Sequence, residues 1–304
     1  MSGAELRWVE QLPEDSAQQV HDVLARATTD DGVAPVSEQV VLSLTSETPA
    51  RHLLALREQT VVGYANLVAA HDEHPAMAEV AVDPRFRGQR IGTDLVSAAL
   101  AAGGPGARVW AHGDRPAAKA VAARLGLRTA RELWQMRRDL ATPELPVLAV
   151  PDDILLRTYA GPADDAELLR VNGAAFAWHP EQGAWTERDL DQRRHSAWFD
   201  PNGLFIAVDP LDPARILGFH WTKVHLDEHP PVGEVYVVGV DPAAQGRGLG
   251  RLLTLAGLHY LRERGLGDVL LYTEADNTAA VNTYTKLGFA PAHIDLAYAA
   301  PVLD

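Results

Sequence analysis

Apolar positions along the chain recur with two periods, and each half runs through them in the same order. Alternating or β-branched runs at Leu6 to Leu12, His52 to Arg57, Val61 to Ala69, Met77 to Val82, Ala107 to Ala111 and Glu132 to Arg138 predict strands. Helical spacing predicts helices over Pro13 to Ala27, opened by proline and acids, and over Ile91 to Ala102 and Pro116 to Leu125. Ala141 to Asp153, with Pro143, Pro146 and Pro151, reads as a linker. Beyond it, strands are predicted at Ile154 to Tyr159, Leu204 to Val208, Ile216 to Val224, Val269 to Thr273 and Ile294 to Tyr298, with helices at Ala163 to Phe176 and Thr278 to Leu287. The expected fold is α/β, with a mixed sheet in each of two domains: 1–140, and 154–304 after a linker at 141–153.

The stretch with the most chemical content is EVYVVGVDPAAQGRGLGR, from Glu234 to Arg251. It reads as a strand stopped by Asp241-Pro242, a glycine loop, and the start of an apolar-periodic helix from Leu252 to Leu261. The first N–H groups of a helix lack internal partners and sit at the positive end of its dipole, so such a loop can hold phosphate by main chain alone. A Walker loop is excluded because no Gly-Lys-Ser/Thr follows, and Gly246, Gly248 and Gly250 run GxGxG rather than GxGxxG. An ordinary glycine-rich strand-to-helix turn remains an alternative.

The stretch has an earlier counterpart. EVAVDPRFRGQRIGTDLV, from Glu79, puts Val80, Val82, Asp83-Pro84 and Gly92 on Val238, Val240, Asp241-Pro242 and Gly250. Val109 to Asp114 likewise matches Leu271 to Asp276, each followed by a helical segment, so two copies of one fold are expected. By this alignment Ala76 stands in the place of Glu234 and Ala122 in that of Tyr284, while Arg90 replaces Gly248.

Composition narrows the functions. A length of 304 residues suits two domains that can each bury a core. A formal net charge of −14 disfavours nucleic acid as a partner. The absence of cysteine removes disulfides, thiolate metal sites and a cysteine nucleophile. No apolar run approaches membrane-spanning length and the start has no signal-peptide pattern, so no membrane partner and a cytoplasmic location are expected. A monomer is also expected. His71 with His74 and His225 with His229 lie at acidic, proline-bearing hairpin ends, and no metal is expected there. Trp178 and Trp185 either wall a sugar site or pack; Arg193-Arg194-His195 reads as a solvated helix face.

The Gln-x-x-Gly-x-Gly spacing of Gln245, Gly248 and Gly250 after a VxV strand resembles the pyrophosphate loop of the GNAT superfamily of N-acetyltransferases, which bind acetyl-CoA. Acyl transfer from a thioester to an amine needs a base for the ammonium, donors for the oxyanion and an acid for the thiolate. The tandem arrangement, with DGVAPVSEQ, VWAHGDRPAA and RELWQMRR in the first half and AWHPEQGAWT, GFHWTKVH and LYTEADNTAAVNTY in the second, is similar to tandem GNAT enzymes that acetylate the cysteinyl amine of a cysteinyl-glucosaminyl-inositol conjugate. The resemblance implies Glu234 as general base and Tyr284 as general acid, with substrate contacts from Glu38, Glu181, Lys223, Glu234 and Tyr272. It implies acetyl-CoA contacts from Val238, Gly239 and Val240, from Gln245, Gly246, Arg247, Gly248, Leu249, Gly250 and Arg251, and from Asn277, Thr278, Ala279, Ala280, Val281 and Asn282. A second, non-productive acetyl-CoA is expected at Val80, Ala81, Val82, Arg87, Gly88, Gln89, Arg90, Ile91 and Gly92, with Arg87 and Arg90 adding charge near its phosphates. The first domain is thus expected to be non-catalytic. An aminoglycoside or other polycationic acceptor suits the acidic balance, and a non-catalytic acetyl-CoA-binding module is the third reading.

Overall fold

The computed structural model describes residues 4–45, 50–71, 74–177, 180–226 and 228–301. The chain forms two compact units, one of 1–133 with 293–304 and the other of 134–292. This differs from the expected division at 140 and 154. The strand β6 (Arg128–Asp139) starts in the first unit and ends in the second, and the last strand, β12 (Ala290–Ala299), starts in the second and ends in the first.

In the first unit the strand β1 (Glu5–Val9) is followed by the helix α1 (Glu14–Asp31), the short helix α2 (Glu38–Ser43), and the hairpin of β2 (Ala50–Arg57) and β3 (Thr60–Val68). Then come β4 (Met77–Val82), α3 (Ile91–Gly103), β5 (Arg108–Ala111) and α4 (Pro116–Arg124). Its sheet order is β1-β2-β3-β4-β5-β12. The sheet buries both faces, as mixed sheets covered by helices do: Leu53, Ala65 and Leu67 meet Leu95 and Ala99 of α3, while Leu54, Val61 and Tyr64 meet Val20 and Val23 of α1.

The second unit runs β7 (Leu155–Thr158), α5 (Asp165–Ala175), α6 (Pro180–Gly183), α7 (Glu187–Arg194), β8 (Leu204–Asp209) and β9 (Asp212–His225), then β10 (Val232–Val240), α8 (Leu249–Glu263), β11 (Asp268–Glu274) and α9 (Thr278–Lys286). Its sheet order is β6-β11-β10-β9-β8-β7. One face packs on α8 through Leu253, Leu255 and Leu258; the other packs Ile206, Phe219 and Trp221 against α5 and α7 through Leu168, Val171 and Leu190. The expected linker is not a free tether, because Leu145 is buried in the α8-side core and Leu148 packs against it.

The short helix α7 has Leu190 as its buried residue, so its apolar pattern is silent, although Thr186 and Asp189 form the capping box that starts it. Arg193 and Arg194 are not a solvated face: Arg193 stacks on Trp185 and donates to the Tyr236 hydroxyl, and Arg194 pairs with Asp165 and Asp191. No helix among the described residues is long and apolar enough to cross a membrane.

Candidate functional site

The site of the second unit begins where β10 leaves its neighbours. On one side β10 pairs antiparallel with β9, opposing Glu234 to Lys223 and Val232 to His225, and the register shifts between Val235 and Val237. That bulge inserts Tyr236 and bends the strand. On the other side β10 pairs in parallel with β11 only at Gly233–Val269 and Glu234–Leu270, although it runs on to Val240. The two parallel strands therefore part after Glu234, and the backbone of Val238 to Val240 is left beside the gap without a ladder to β11. Such an edge offers N–H donors to an acyl carbonyl.

The loop after β10 is shaped by its own residues. The Asp241 side chain accepts the Ala243 N–H at 2.9 Å and the Arg170 guanidinium at 2.7 Å. Burial alone would raise its carboxyl, but these two donors outweigh it and hold the group below its ordinary value. Gly246 and Gly248 take φ of 80° and 76°, left-handed backbone that glycine enters without a Cβ penalty. Gly248 is the N-cap of α8 and supplies no side-chain cap, so the first N–H groups of a fifteen-residue helix remain for an anion. Arg247 is paired with Asp153 at 2.7 Å. These features fit a pyrophosphate held mainly by main chain.

Glu234 is the carboxylate nearest the start of the gap. Its side chain is 9% exposed and lies 2.7 Å from His225 Nε2 and 4.0 Å from Lys223 Nζ. Lys223 also sits over Trp198 and Tyr236, with its Nζ 5.5 and 5.7 Å from the ring centres. Tyr272, on β11 two residues past the Glu234 partner, is half exposed, and its hydroxyl accepts from Gln135 at 2.9 Å. Strand alternation puts Lys223, His225, Glu234 and Tyr272 on one sheet face. Tyr284 of α9 packs edge-on against Phe289, and burial pushes its phenol up to about 12. Asn277 caps α9 by accepting the Ala280 N–H at 3.2 Å.

Of the expected substrate contacts, the structure brings Lys223, Glu234 and Tyr272 to one face. Glu38 lies in the first unit, exposed at the start of α2, and the Glu181 side chain and Trp178 lie outside what is described. Trp185 packs against Trp221 and Tyr236 beneath Arg193. His225, read in the sequence with His229 as a discarded metal pair, instead contacts the expected base. Its position two residues from Lys223 on a strand facing Glu234 is the signal that could have found it. Among the described residues no group of three or more His, Cys, Asp or Glu side chains is placed to hold a metal ion.

The first unit repeats the frame with different side chains. The β4–β5 ladder ends at Glu79–Trp110, and a cavity of about 360 Å³ opens beyond it, lined by Val80 to Val82, Gly88, Arg90, Gly92, Trp110 and Ala122 among others. Arg90 takes a φ of 69°, the conformation of Gly248, so the loop shape persists at the cost of a left-handed arginine. Arg87 does not add free charge, because Asp30 and Asp31 hold it at 3.1 and 2.7 Å. The register also corrects one alignment. β4 pairs with β3 without a bulge, so Met77, opposite Arg108, is the counterpart of Glu234, opposite Leu270; Ala76 is one residue off. A carboxylate is absent there on either alignment.

A sheet that parts beside a glycine loop feeding a helix, with a carboxylate at the parting, defines an acetyltransferase of the GNAT class. The Acetyltransferase (GNAT) family matches residues 17–127 and 173–289. The chain is 74% identical over 300 residues to a mycothiol acetyltransferase of Nocardia farcinica, covering 99% of each chain. It is 59% identical to one of Rhodococcus jostii, covering 98% of this chain and 99% of that one. It belongs to the mycothiol acetyltransferase family of tandem GNAT proteins. Its fold is shared with a tandem GNAT protein from the clavulanic acid biosynthesis pathway, with a TM-score of 0.67 at 20% identity, covering 99% of this chain and 100% of that one. A GCN5-related N-acetyltransferase of Sphaerobacter thermophilus gives a TM-score of 0.70 at 22% identity, covering 98% and 97%.

Proposed function

We propose that the second unit transfers acetyl from acetyl-CoA to the cysteinyl amine of 1D-myo-inositol 2-(L-cysteinylamino)-2-deoxy-α-D-glucopyranoside, giving mycothiol and CoA. Acetyl-CoA brings an acyl carbon already activated as a thioester. Gly246 to Leu249 and the start of α8 hold its pyrophosphate by main chain, and Val238 to Val240 offer N–H groups beside the parted strands. Glu234 attracts the substrate ammonium and takes a proton from it, and Tyr284, whose phenol is protonated at neutral pH, supplies one to sulfur. Lys223 and Tyr272 present donors and acceptors to a polyol on the Glu234 face. The first unit, with Met77, Ala122 and Arg90 at the corresponding places, binds acetyl-CoA non-productively.

The observation that carries this reading is the buried Glu234 at the parting of β10 and β11, in a chain 74% identical over its length to a mycothiol acetyltransferase. The test is loss of thioester absorbance with a panel of amines. That readout is preferred to thiol titration because the acceptor carries its own thiol. The conjugate should exceed an aminoglycoside and simple amino-acid amides by about a hundredfold or more in kcat/KM. Faster turnover of the aminoglycoside would reassign the acceptor, and no turnover of any amine would leave a binding module.

A further inference from the structure

We propose that His225 is the outlet for the proton that Glu234 takes up, a residue that acts through Glu234 by passing that proton to solvent. The inference rests on Glu234 being the base and extends that reading to a residue it did not include.

The proton balance creates the requirement. An alkylammonium that becomes an amide loses two N–H protons as its lone pair forms the C–N bond and the C–S pair leaves with sulfur. Sulfur retains one proton as the CoA thiol, directly or by restoring the acid that supplied it. The other must leave the protein, or Glu234 stays protonated and cannot start a second turnover. The Glu234 carboxylate is poorly placed to release it directly, because its side chain is only 9% exposed and is enclosed by β9 and β11.

His225 is placed to carry it. Its Nε2 lies 2.7 Å from Glu234 Oε2, within a single proton transfer, and its side chain is 23% exposed. A neutral imidazole bearing its proton on Nδ1 accepts one from Glu234 at Nε2, and the resulting imidazolium gives one to water; turning of the partly exposed ring then returns a bare nitrogen to Glu234 for the next cycle. The other groups facing Glu234 do this less well. Lys223 stands farther off, at 4.0 Å, and serves as a cation beside the carboxylate; Leu270, opposite Glu234 on β11, is apolar; Tyr272, next on that face, accepts from Gln135. On the helix side Arg193 is engaged with the Tyr236 hydroxyl.

The test uses the full chain with acetyl-CoA and the cysteinyl conjugate, and compares His225→Gln, His225→Ala and Glu234→Gln. Glutamine can keep a hydrogen bond to Glu234 but cannot relay a proton. We expect His225→Gln to lower kcat about tenfold or more with both KM values within about twofold, and added imidazole to restore His225→Ala in a saturable manner. The kcat of His225→Gln should also rise with buffer concentration while that of the parent does not. Parent-like kcat in His225→Gln, or no imidazole response in a His225→Ala protein with a parent-like circular dichroism spectrum, would overturn the relay. Glu234→Gln separates the two ideas: if it alone is slow, only the relay fails; if it keeps the parent rate, the base assignment fails first.

Discussion

His220 and Gly257 show how one pair of residues fixes the helix that carries the proposed anion site. His220, on β9, points its Nδ1 at the Leu253 carbonyl of α8, 2.8 Å away, and a Cβ added to Gly257 would come within 2.1 Å of its Cε1. The glycine is required by close approach, since its backbone is ordinary helix. Gly257→Ala should destabilise the second unit by about 1–3 kcal/mol, read from chemical denaturation, and weaken acetyl-CoA binding by moving the start of α8. Burial pushes the His220 imidazole down to about 4. Because its folded value lies below the unfolded 6.5, its contribution is complete above about 6.5 and is lost as pH falls towards 4, by about 3 kcal/mol. Its NMR signals should remain those of the neutral ring at pH 5.5. None of this was legible in the sequence, where a histidine in GFHWTKVH reads the same whether its ring is buried or at the site.

At the scale of elements, the strand, loop and helix around the site were legible because their local chemistry is self-contained. The VGV run, Asp241-Pro242 and the glycines needed no tertiary information to be placed. The bulge at Tyr236 was not legible, and it is what moves the counterpart of Glu234 from Ala76 to Met77. α7 was missed because its stability comes from a capping box and from arginines held by Trp185 and Asp165, contacts that hydrophobic period does not report. Gly248→Val should raise the Kd for acetyl-CoA at the second unit at least about tenfold, since a β-branched residue resists a φ of 76° at the N-cap, while Arg90→Val at the matching place leaves turnover unchanged. In the first unit His112 lies between Glu79, at 2.8 Å, and Asp295 of β12, at 3.4 Å. Burial would lower its imidazole, but the two carboxylates together raise it to about 9. That contribution is full below about 6.5 and is lost as pH rises through about 9, worth about 3 kcal/mol. His112→Gln should therefore flatten the alkaline loss of stability of the first unit.

For the whole molecule, the internal repeat was the feature the sequence displayed most openly, and it predicts two α/β units of one plan. What the repeat hid is that the ends are exchanged: the final strand reads as part of the second copy, yet Leu296 to Ala299 pair with Arg108 to Ala111 in the first unit. Period and composition describe a strand but not the sheet that receives it. The repeat also sharpens the base assignment, since the register counterpart of Glu234 in the first unit is Met77, while Glu79, which ends the first ladder, is already engaged by Ser37 and His112. The most direct test is the rate of a single turnover at saturating acetyl-CoA for Glu234→Gln beside Met77→Gln, with acetyl-CoA affinity measured by calorimetry. We expect a fall of about a hundredfold or more for Glu234→Gln with affinity within about twofold of the parent, and a parent-like rate for Met77→Gln. A parent-like rate for Glu234→Gln, or a loss at Met77 as large as that at Glu234 in a protein that still binds the coenzyme, would contradict the base assignment.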